Sequence, residues 1–270
     1  MTTYPNCKIN LGLHVVGRRA DGYHDLETLY LPVPDLCDEL EITEQPAADA
    51  SSNGASPAPR MTQSGLALDN TPEDNLCIRA WQLLHDEFAI PPVHIRLEKH
   101  IPFGAGLGGG SSDAAFTLRM LNDMFSLGLG AADLEHRAAR LGADCAFFVQ
   151  NHPAYATGIG DRLESPDFNF SIFNSQFSIQ IEIPDGEHVS TKEAYAGIDR
   201  SRFGTPRPDL RQAIRRPIGE WRHLIVNDFE ASVFPIHPAI AALKDDFYRR
   251  GALYASMTGS GAAVFGIFAR

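Results

Sequence analysis

Residues 102–113 read PFGAGLGGGSSD, with five glycines in seven consecutive positions. Glycine reaches backbone conformations with positive φ and, because it has no Cβ, lets backbone N–H groups approach a ligand closely. Apolar residues recur at helical spacing from Ser111 to Phe125, and a helix start offers unpaired N–H donors and partial positive charge. Loop and helix together predict a phosphate-binding cradle. The alternative is a flexible turn before a helix capped by Ser111 or Ser112, which five glycines make entropically unfavourable.

Two better-known phosphate loops fit this stretch poorly. No lysine follows the glycines, so the P-loop pattern GxxxxGK[ST] is absent. A GxGxxG match is present at 104–109, but the preceding strand is charged and is broken by Pro102. A second helix follows, where a dinucleotide-binding fold needs an apolar strand that ends in an acid. The sequence therefore argues against a dehydrogenase.

Strand and helix patterns alternate on both sides of the loop. Period-two alternation predicts strands at 8–16, 26–33, 40–43, 93–97 and 177–183, with two more inside 253–268. Helical spacing predicts helices at 75–88, 111–125, 132–141, 191–196 and 238–250. The stretch 46–60, rich in Ala, Ser and Pro, predicts a mobile surface loop without a function. Because these elements do not form regular βαβ units, we expect an α+β fold with a domain boundary near residue 155.

Composition excludes several classes of function. The chain has 270 residues, and 23 Lys and Arg against 34 Asp and Glu give a net charge of −11. Nucleic-acid binding depends on many phosphate contacts, so we expect no nucleic-acid partner, although a local pocket still accepts one small anion. The 4 cysteines are far apart without a CxxC pattern, which predicts neither zinc nor disulfides. No run approaches about 18 uncharged apolar residues, so we expect no membrane insertion and a cytoplasmic location.

Three separated motifs resemble those of the galactokinase–homoserine kinase–mevalonate kinase–phosphomevalonate kinase (GHMP kinase) superfamily. They are KINLGL at 8–13 with RADGYHDLET at 19–28, the glycine loop through Ala115 with LGADC at 141–145, and MTGSGAAVF at 257–265. Shorter matches at 73–76, 158–161 and 227–230 extend the resemblance along nearly the whole chain. The glycine loop indicates only the superfamily, whereas the Asp-Gly-Tyr-His segment narrows the choice within it.

The resemblance implies an α+β GHMP kinase fold in two parts. A ribosomal-protein-S5-domain-2-like N-terminal domain would span residues 1–155 and hold the glycine loop, and a ferredoxin-like C-terminal domain would span residues 156–270. The implied reaction moves the γ-phosphoryl group of ATP, with Mg²⁺, to a hydroxyl of a small molecule. The narrower match implies a substrate that carries cytidine diphosphate on a methylerythritol unit, phosphorylated at its 2-hydroxyl in non-mevalonate isoprenoid synthesis. We expect a monomer or a weak homodimer.

The same resemblance implies two catalytic residues. Asp144 would accept the proton of the substrate hydroxyl, and Lys8 would lie beside it. A carboxylate next to an ammonium stays ionised, and the ammonium stabilises negative charge that develops on the attacking oxygen. Without the family, Lys8 is read as a solubilising lysine at a strand edge and Asp144 as an acid in a turn.

Nucleotide binding is implied at two places. For ATP, the residues are Pro102, Phe103, Gly104, Ala105, Gly106, Leu107, Gly108, Gly109, Gly110, Ser111 and Ser112 at the phosphates, with Asn75 and Lys99 near the adenosine. Ser111 or Ser112 could also ligate Mg²⁺, which prefers oxygen ligands. For the cytidine end, the residues are Asn10, Tyr23, His24, Thr191 and Tyr195, with Tyr195 as a second aromatic face against the base. Tyr195 rests on a short local match and otherwise reads as a core aromatic.

The sequence departs from the family just before Thr191, among other places, and it leaves two alternatives open. The strand before Thr191 ends in Pro184-Asp185, where relatives often carry Lys-Pro, so a cation near the substrate is missing or comes from elsewhere. One alternative is a superfamily kinase that acts on mevalonate, homoserine or a sugar. The other is a nucleotide sensor without catalysis, which has no need for Lys8 and Asp144 together.

Overall fold

The computed structural model describes residues 1–45, 58–66, 74–167, 170 and 176–270. The loop predicted at 46–60 lies for the most part outside these residues. Within them, the chain divides into two compact units. The first comprises Met1–Cys7, Pro34–Phe103 and Gly108–Asn151, and the second comprises Lys8–Val33, Gly104–Leu107 and His152–Arg270. Each unit is therefore assembled from three separate stretches of sequence, and the domain boundary near residue 155 stays a prediction.

The described strands and helices follow the chain in this order. The strands are β1 (Thr2–Thr3), β2 (Asn6–Arg18), β3 (His24–Cys37), β4 (Glu39–Glu44), β5 (Arg60–Gly65), β6 (Val93–Lys99), β7 (Ala154–Thr157), β8 (Arg162–Glu164), β9 (Phe177–Glu182), β10 (Tyr254–Met257) and β11 (Val264–Ala269). The helices are α1 (Leu76–Phe88), α2 (Gly109–Met124), α3 (Ala131–Ala139), α4 (Cys145–Gln150), α5 (Thr191–Ala196), α6 (Leu210–Ala213), α7 (Trp221–Leu224), α8 (Phe229–Val233) and α9 (Pro238–Arg249).

The first unit contains a four-stranded sheet of order β1-β4-β6-β5. Strand β4 runs antiparallel to β1 and β6, and β5 runs parallel to β6. Along β6, every second side chain from Val93 to Lys99 is buried, which is the period of a half-buried strand. Helix α2 packs against α1, α4 and β4. The same alternation that buries Val93, Ile95 and Leu97 therefore also turns the ammonium of Lys99 into the interior.

The second unit contains two sheets. One sheet has the order β2-β3-β7-β8, and a three-stranded sheet has the order β10-β11-β9. Helix α9 packs against β10 and β11. A buried apolar cluster that includes Leu13, Phe229, Phe247, Met257 and Val264 forms the core of this unit.

Several sequence-based expectations about elements need correction. Helix α2 begins at Gly109 and not at Ser111, because Gly108 takes a left-handed conformation at φ 72° and starts the helix inside the glycine run. Neither serine is therefore its N-cap. Strand β5 and the hairpin β7–β8 were not predicted, since β5 is polar and largely exposed and β8 is only 3 residues long. The strand predicted at 8–16 is confirmed and extends to Asn6–Arg18, but every residue from Asn6 to Val15 is buried, so the strand is not half-exposed as its alternating sequence suggests.

Candidate active site

Backbone atoms of two glycine-containing segments of the second unit approach each other closely. Gly106 has φ +78°, and a Cβ at this position would lie 2.1 Å from the carbonyl oxygen of Thr258. Gly259 has φ +54°, and its Cβ would lie 2.9 Å from Cα of Gly106. Only glycine fits both places, since each combines a left-handed backbone with a neighbour at contact distance. The structure thus packs the third sequence motif against residues 104–107 of the loop.

A buried lysine is held against this contact. Lys8 is 3% exposed, and its Nζ donates to Oδ1 of Asn10 at 2.7 Å and to the carbonyl oxygen of Gly106 at 3.0 Å. The same ammonium lies 5.2 Å from the ring centre of Tyr30. Hydrogen bonds to charged donors are the strong ones, so these acceptors fix where the positive charge sits.

Asn10 joins the lysine to the rest of the site. Its Nδ2 donates to Oγ1 of Thr28 at 2.9 Å, and its Oδ1 also accepts from the backbone N–H of Gly259 at 2.9 Å. Its own backbone N–H donates to Oγ1 of Thr258 at 3.0 Å. Asn10 is 1% exposed, and the amide oxygen, amide nitrogen and backbone N–H of this predicted substrate ligand all have protein partners.

The remaining glycine-loop residues belong to the first unit. The N–H of Ser112 donates to the carbonyl oxygen of Gly108 at 2.9 Å, which closes the first turn of α2. Ser111 hydrogen-bonds the thiol of Cys145, although burial raises the pKa of that thiol to about 11. Ser112 is fully buried, and its Oγ has no hydrogen-bond partner among the described residues. The helix start therefore presents one orphaned hydroxyl oxygen.

A Mg²⁺ ion bound with ATP would suit that hydroxyl. An oxygen ligand is what Mg²⁺ prefers, and it usually takes few protein ligands beside the phosphates. In the described part of the chain, no cluster of three or more His, Cys, Asp or Glu side chains is placed to hold a metal ion. The fit thus rests on Ser112, one of the two serines that the sequence suggested.

Asp144, predicted as the general base, stands immediately before helix α4. It is half-buried and takes helical dihedrals of φ −80° and ψ −12°. Its side chain makes no capping hydrogen bond to α4. The catalytic roles of Asp144 and Lys8 stay predictions.

The two residues predicted near the adenosine have structural partners. Asn75 is the N-cap of α1, where its Oδ1 accepts from the N–H of Cys77 at 2.9 Å. Lys99 is 2% exposed, and its Nζ is hydrogen-bonded to Oδ2 of Asp38 and, at 2.7 Å, to Oδ2 of Asp113. Its adenosine contact stays a prediction.

Two of the side chains predicted to bind the cytidine base are in direct contact. The rings of His24 and Tyr195 stack directly, with centres 4.5 Å apart and planes at 19°. The ring of Phe229 meets Tyr195 edge-on, with ring centres 4.8 Å apart, and Tyr23 is 62% exposed. Burial lowers the pKa of His24, as do the nearby charges of Arg18 and Arg200. Oγ1 of Thr191 lies 3.3 Å from Oγ of Ser260, which belongs to the third motif.

Sequence reasoning missed four residues that organise these places. Asn227 donates from Nδ2 to the carbonyl oxygens of Met257 and Gly259, each at 2.8 Å, and so shapes the third motif. The Asn-Asp-Phe-Glu segment that contains Asn227 is only a short match to the superfamily, and it does not single out Asn227. Thr258 lay inside a recognised motif without a role of its own. Asp38 and Asp113 gave no signal, because single acids beside a strand or in a helix are common.

Family models match two parts of the chain. The model described as GHMP kinases N terminal domain matches residues 75–154, and the model described as GHMP kinases C terminal matches residues 209–270. A protein of Bacteroides thetaiotaomicron named 4-diphosphocytidyl-2-C-methyl-D-erythritol kinase is 48% identical over 268 residues, 99% of this chain and 92% of its own length. A Porphyromonas gingivalis protein of the same name is 44% identical over 269 residues, with the same coverage.

The chain belongs to the 4-diphosphocytidyl-2-C-methyl-D-erythritol kinase family of GHMP kinases. A crystal structure of a 4-(cytidine 5'-diphospho)-2C-methyl-D-erythritol kinase matches 98% of this chain and 89% of its own, with a TM-score of 0.78 and 30% identity. The Methanococcus jannaschii mevalonate kinase reaches a TM-score of 0.68 at 14% identity, over 99% of this chain and 90% of its own, which shows the shared fold alone.

Membership in this kinase family confirms several predictions. The predicted α+β GHMP kinase fold and the predicted ATP-dependent phosphotransferase activity are confirmed.

None of the helices in the described part of the chain has the length and apolar character that crossing a bilayer requires.

Proposed function

We propose that this GHMP kinase transfers the γ-phosphoryl group of ATP to the 2-hydroxyl of 4-diphosphocytidyl-2-C-methyl-D-erythritol, in the non-mevalonate route to isoprenoid precursors. The observation that carries the proposal is identity of 42–48% to relatives of that name over at least 97% of the chain. The Asp-Gly-Tyr-His segment at 21–24 lies within these alignments. Mevalonate and homoserine kinases share the fold at 13–17% identity, which is too distant to suggest their substrates.

The proposed reaction is a single displacement at phosphorus. The 2-hydroxyl oxygen forms a bond to the γ-phosphorus, the bond from that phosphorus to the β–γ bridging oxygen breaks, and ADP leaves. The hydroxyl proton passes to Asp144 and then to water. Phosphoryl transfer needs little covalent chemistry from the protein, so positioning and charge stabilisation supply most of the rate enhancement.

Lys8 would supply part of that charge stabilisation. Its ammonium is buried and is fixed by Asn10 and Gly106, so it does not have to reorganise as charge develops on the attacking oxygen. A preorganised charge at a site shielded from water is worth more than the same charge in solvent. This arrangement supports Lys8 as an electrostatic catalyst and Asn10 as the residue that positions it.

ATP phosphates would bind to the start of α2. Gly108 has a left-handed backbone at this start, the first N–H groups of a helix have no intrahelical partner, and the hydroxyl of Ser112 has no partner among the described residues. Such a helix start favours anions even in a protein with net charge −11. Bound with ATP, Mg²⁺ would neutralise phosphate charge, and Ser112 would hold it.

We propose that the enzyme works in the cytoplasm as a monomer or weak homodimer.

The cytidine end would meet the aromatic residues of the second unit. His24 stacks on one face of Tyr195 and also meets the ring of Phe203 edge-on at 6.3 Å, while the exposed ring of Tyr23 lies one residue away in sequence. Stacking of a base on an aromatic ring contributes about 1–3 kcal/mol. This set supports Tyr23, His24 and Tyr195 as the pyrimidine-binding residues.

Steady-state kinetics with three acceptors test the proposal. ADP release from ATP is followed with 4-diphosphocytidyl-2-C-methyl-D-erythritol, mevalonate and homoserine in parallel, and ³¹P NMR of the product identifies the phosphorylated carbon. We expect turnover only with the first acceptor and a new phosphomonoester on its 2-hydroxyl. Turnover with mevalonate or homoserine would reassign the substrate. Binding of ATP without turnover of any acceptor would favour a nucleotide sensor.

A further inference from the structure

Thr258, which follows strand β10, reaches both oxygen atoms that accept from the ammonium of Lys8. Nζ of Lys8 donates to Oδ1 of Asn10 at 2.7 Å and to the carbonyl oxygen of Gly106 at 3.0 Å. Oγ1 of Thr258 lies 3.2 Å from each of these same two oxygens, and Thr258 is fully buried. Because one hydroxyl group contacts both acceptors, a shift of Thr258 would disturb both of them at once.

The backbone beside Thr258 also holds the side chain of Asn10. The N–H of Gly259 donates to Oδ1 of Asn10 at 2.9 Å, and the backbone N–H of Asn10 donates to Oγ1 of Thr258 at 3.0 Å. At the other end of the same amide, Nδ2 of Asn10 donates to Oγ1 of Thr28 at 2.9 Å. The amide oxygen of Asn10 therefore stays beside the ammonium of Lys8 only while the Met257–Gly259 turn keeps its position.

Asn227 fixes this turn through its backbone carbonyl groups. Nδ2 of Asn227 donates to the carbonyl oxygens of Met257 and Gly259, each at 2.8 Å, so one amide group bridges the residues on either side of Thr258. Oδ1 of Asn227 accepts from the N–H of Phe229 at 3.0 Å, which sets the orientation of the amide. Asn227 is only 3% exposed. Loss of a buried donor leaves its acceptors short of partners, which favours a rearranged turn.

The backbone that carries Asn227 is itself anchored to strand β2. The N–H of Leu13 donates to the carbonyl oxygen of Val226 at 2.9 Å, and the N–H of Asp228 donates to the carbonyl oxygen of Leu13 at 2.8 Å. The same strand carries Asn10. A closed ring of hydrogen bonds therefore runs from β2 to Asn227, from Asn227 to the turn, and from the turn back to β2. Every residue of this ring belongs to the second unit.

We propose that Asn227 and Thr258 are positioning residues for phosphoryl transfer, because they hold the turn against the two oxygens that fix the ammonium of Lys8. The inference rests on the proposed function and on the catalytic role that it gives to Lys8. Both residues are buried and act through the lysine rather than by contact with a substrate. A preorganised charge stabilises the transition state only where charge develops, and a misplacement of about 1 Å lowers a rate by up to about 10²-fold.

Single-turnover kinetics measure the effect of Asn227 on the transfer step. With enzyme in excess over 4-diphosphocytidyl-2-C-methyl-D-erythritol and MgATP saturating, the rate constant excludes product release. Asn227→Ala should lower this rate constant about 10–100-fold, while the dissociation constant of MgATP changes by less than about threefold. A wild-type rate constant in folded Asn227→Ala would overturn the proposal.

Tyr254→Phe is the matched control for loss of a buried hydrogen bond in the same region. The hydroxyl of Tyr254 donates to the carbonyl oxygen of Ile225 at 2.9 Å, two residues before Asn227. This bond lies outside the ring that reaches Lys8. Tyr254→Phe should therefore unfold at a lower urea concentration than wild type and keep the wild-type rate constant.

A double-mutant cycle with Lys8→Ala shows whether Asn227 acts through the lysine. Once the ammonium is absent its position no longer matters, so Asn227→Ala added to Lys8→Ala should lower the rate constant by no more than about twofold. A merely structural defect would lower the rate constant by the same factor in both backgrounds, and that result would overturn the positioning role. If thermal unfolding shows that Asn227→Ala is not folded, Asn227→Ser, which keeps one donor, takes its place in the cycle.

Two substitutions at Thr258 test its hydroxyl group alone. Thr258→Val keeps the branched shape but loses the hydroxyl that contacts both acceptors, so the rate constant should fall about tenfold or more. Thr258→Ser keeps the hydroxyl and should retain most of the wild-type rate. Equal rate constants in the two variants would overturn the role of Thr258.

The outcomes distinguish the positioning role from the proposed acceptor. If the wild-type chain phosphorylates a different acceptor, the proposed function is wrong, and the same cycle with that acceptor decides the positioning role. If Lys8→Ala keeps the wild-type rate, or if the wild-type chain phosphorylates no acceptor, there is no catalytic charge to position and the inference is overturned.

Discussion

Nζ of Lys8 donates to Oδ1 of Asn10 at 2.7 Å, although both side chains project from the same strand two residues apart. Residues i and i+2 lie on one face of a strand, so β2 places the ammonium and its acceptor side by side. Asn10 is itself fixed by Thr28, Thr258 and Gly259. The position of the lysine is thus set by residues far apart in sequence.

Replacing Lys8 should damage turnover much more than nucleotide binding. Lys8→Ala removes a preorganised charge, and the loss of one such electrostatic group lowers kcat by about 10²–10³-fold. We expect the dissociation constant of MgATP to change only a few fold. Steady-state kinetics and calorimetry check this, with the exposed Lys192→Ala as the control. Near-normal turnover in Lys8→Ala would remove Lys8 from the mechanism.

Asp144→Asn tests the proposed general base. The amide has the size of the carboxylate but cannot take the hydroxyl proton, so kcat should fall by about 10²–10⁴-fold. Thermal unfolding checks that the variant is folded. A variant that melts normally and keeps its kcat would show that the proton leaves by another route.

Two glycine substitutions test which positions of the loop require glycine for their backbone geometry and which do not. Gly106→Ala puts a Cβ 2.1 Å from the carbonyl oxygen of Thr258 at a positive φ, and should destabilise the protein by about 2 kcal/mol or more. Gly110→Ala lies inside α2 with no atom nearer than Leu76 at 4.0 Å, and should stabilise it by about 0.5–1 kcal/mol. Urea unfolding measures both. Equal effects would mean that the close approach of residues 106 and 258 is absent in solution.

The sequence was most informative where geometry is local. The run of glycines predicted the loop, and the alternating pattern at 8–16 predicted a long strand, because dihedral preference and side-chain period act within a few residues. It was least informative about pairings between distant segments. Nothing near Lys99 marks it as the partner of Asp38, 61 positions away, and nothing in a lone Asn227 shows that it organises the Met257–Gly259 turn. Helix α2 began early because Gly108 tolerates a conformation that serine does not favour.

The aromatic residues of the cytidine end should differ in their effect on stability. Tyr23→Ala removes a ring that is 62% exposed, so stability should change by about 0.5 kcal/mol or less. Its KM for the cytidine substrate should rise roughly tenfold through lost stacking, with little change for ATP.

Tyr195→Ala should affect both properties. It removes the stack with His24 and the edge contact with Phe229, so stability should fall by about 1–3 kcal/mol and KM for the cytidine substrate should rise. Chemical unfolding and kinetics with each substrate varied in turn measure the two effects. An equal rise in KM for ATP in Tyr23→Ala would contradict the assignment of this end to cytidine.

The buried residue His14, which is not among the predicted site residues, makes the stability of the fold sensitive to acid. It is 1% exposed, and neither ring nitrogen has a hydrogen-bond partner among the described residues. Burial lowers its pKa, Asp228 opposes the shift, and Arg207 and Arg202 add to it. Below the ordinary pKa of 6.5 the unfolded chain therefore binds a proton that the folded chain does not, and stability falls as the pH drops through that value.

Two substitutions at His14 separate its titration from its unsatisfied polarity. His14→Leu and His14→Gln should both flatten the decline in unfolding free energy between pH 7 and 5, because neither side chain titrates. At pH 8, where histidine is neutral, only His14→Leu should gain stability, by about 1–3 kcal/mol, since it alone removes the unpartnered polar atoms. Urea unfolding at a series of pH values measures both effects. A wild-type slope that persists in both variants would assign the acid sensitivity to another group, and a gain in His14→Gln equal to that in His14→Leu would show that the buried ring is strained rather than unsatisfied.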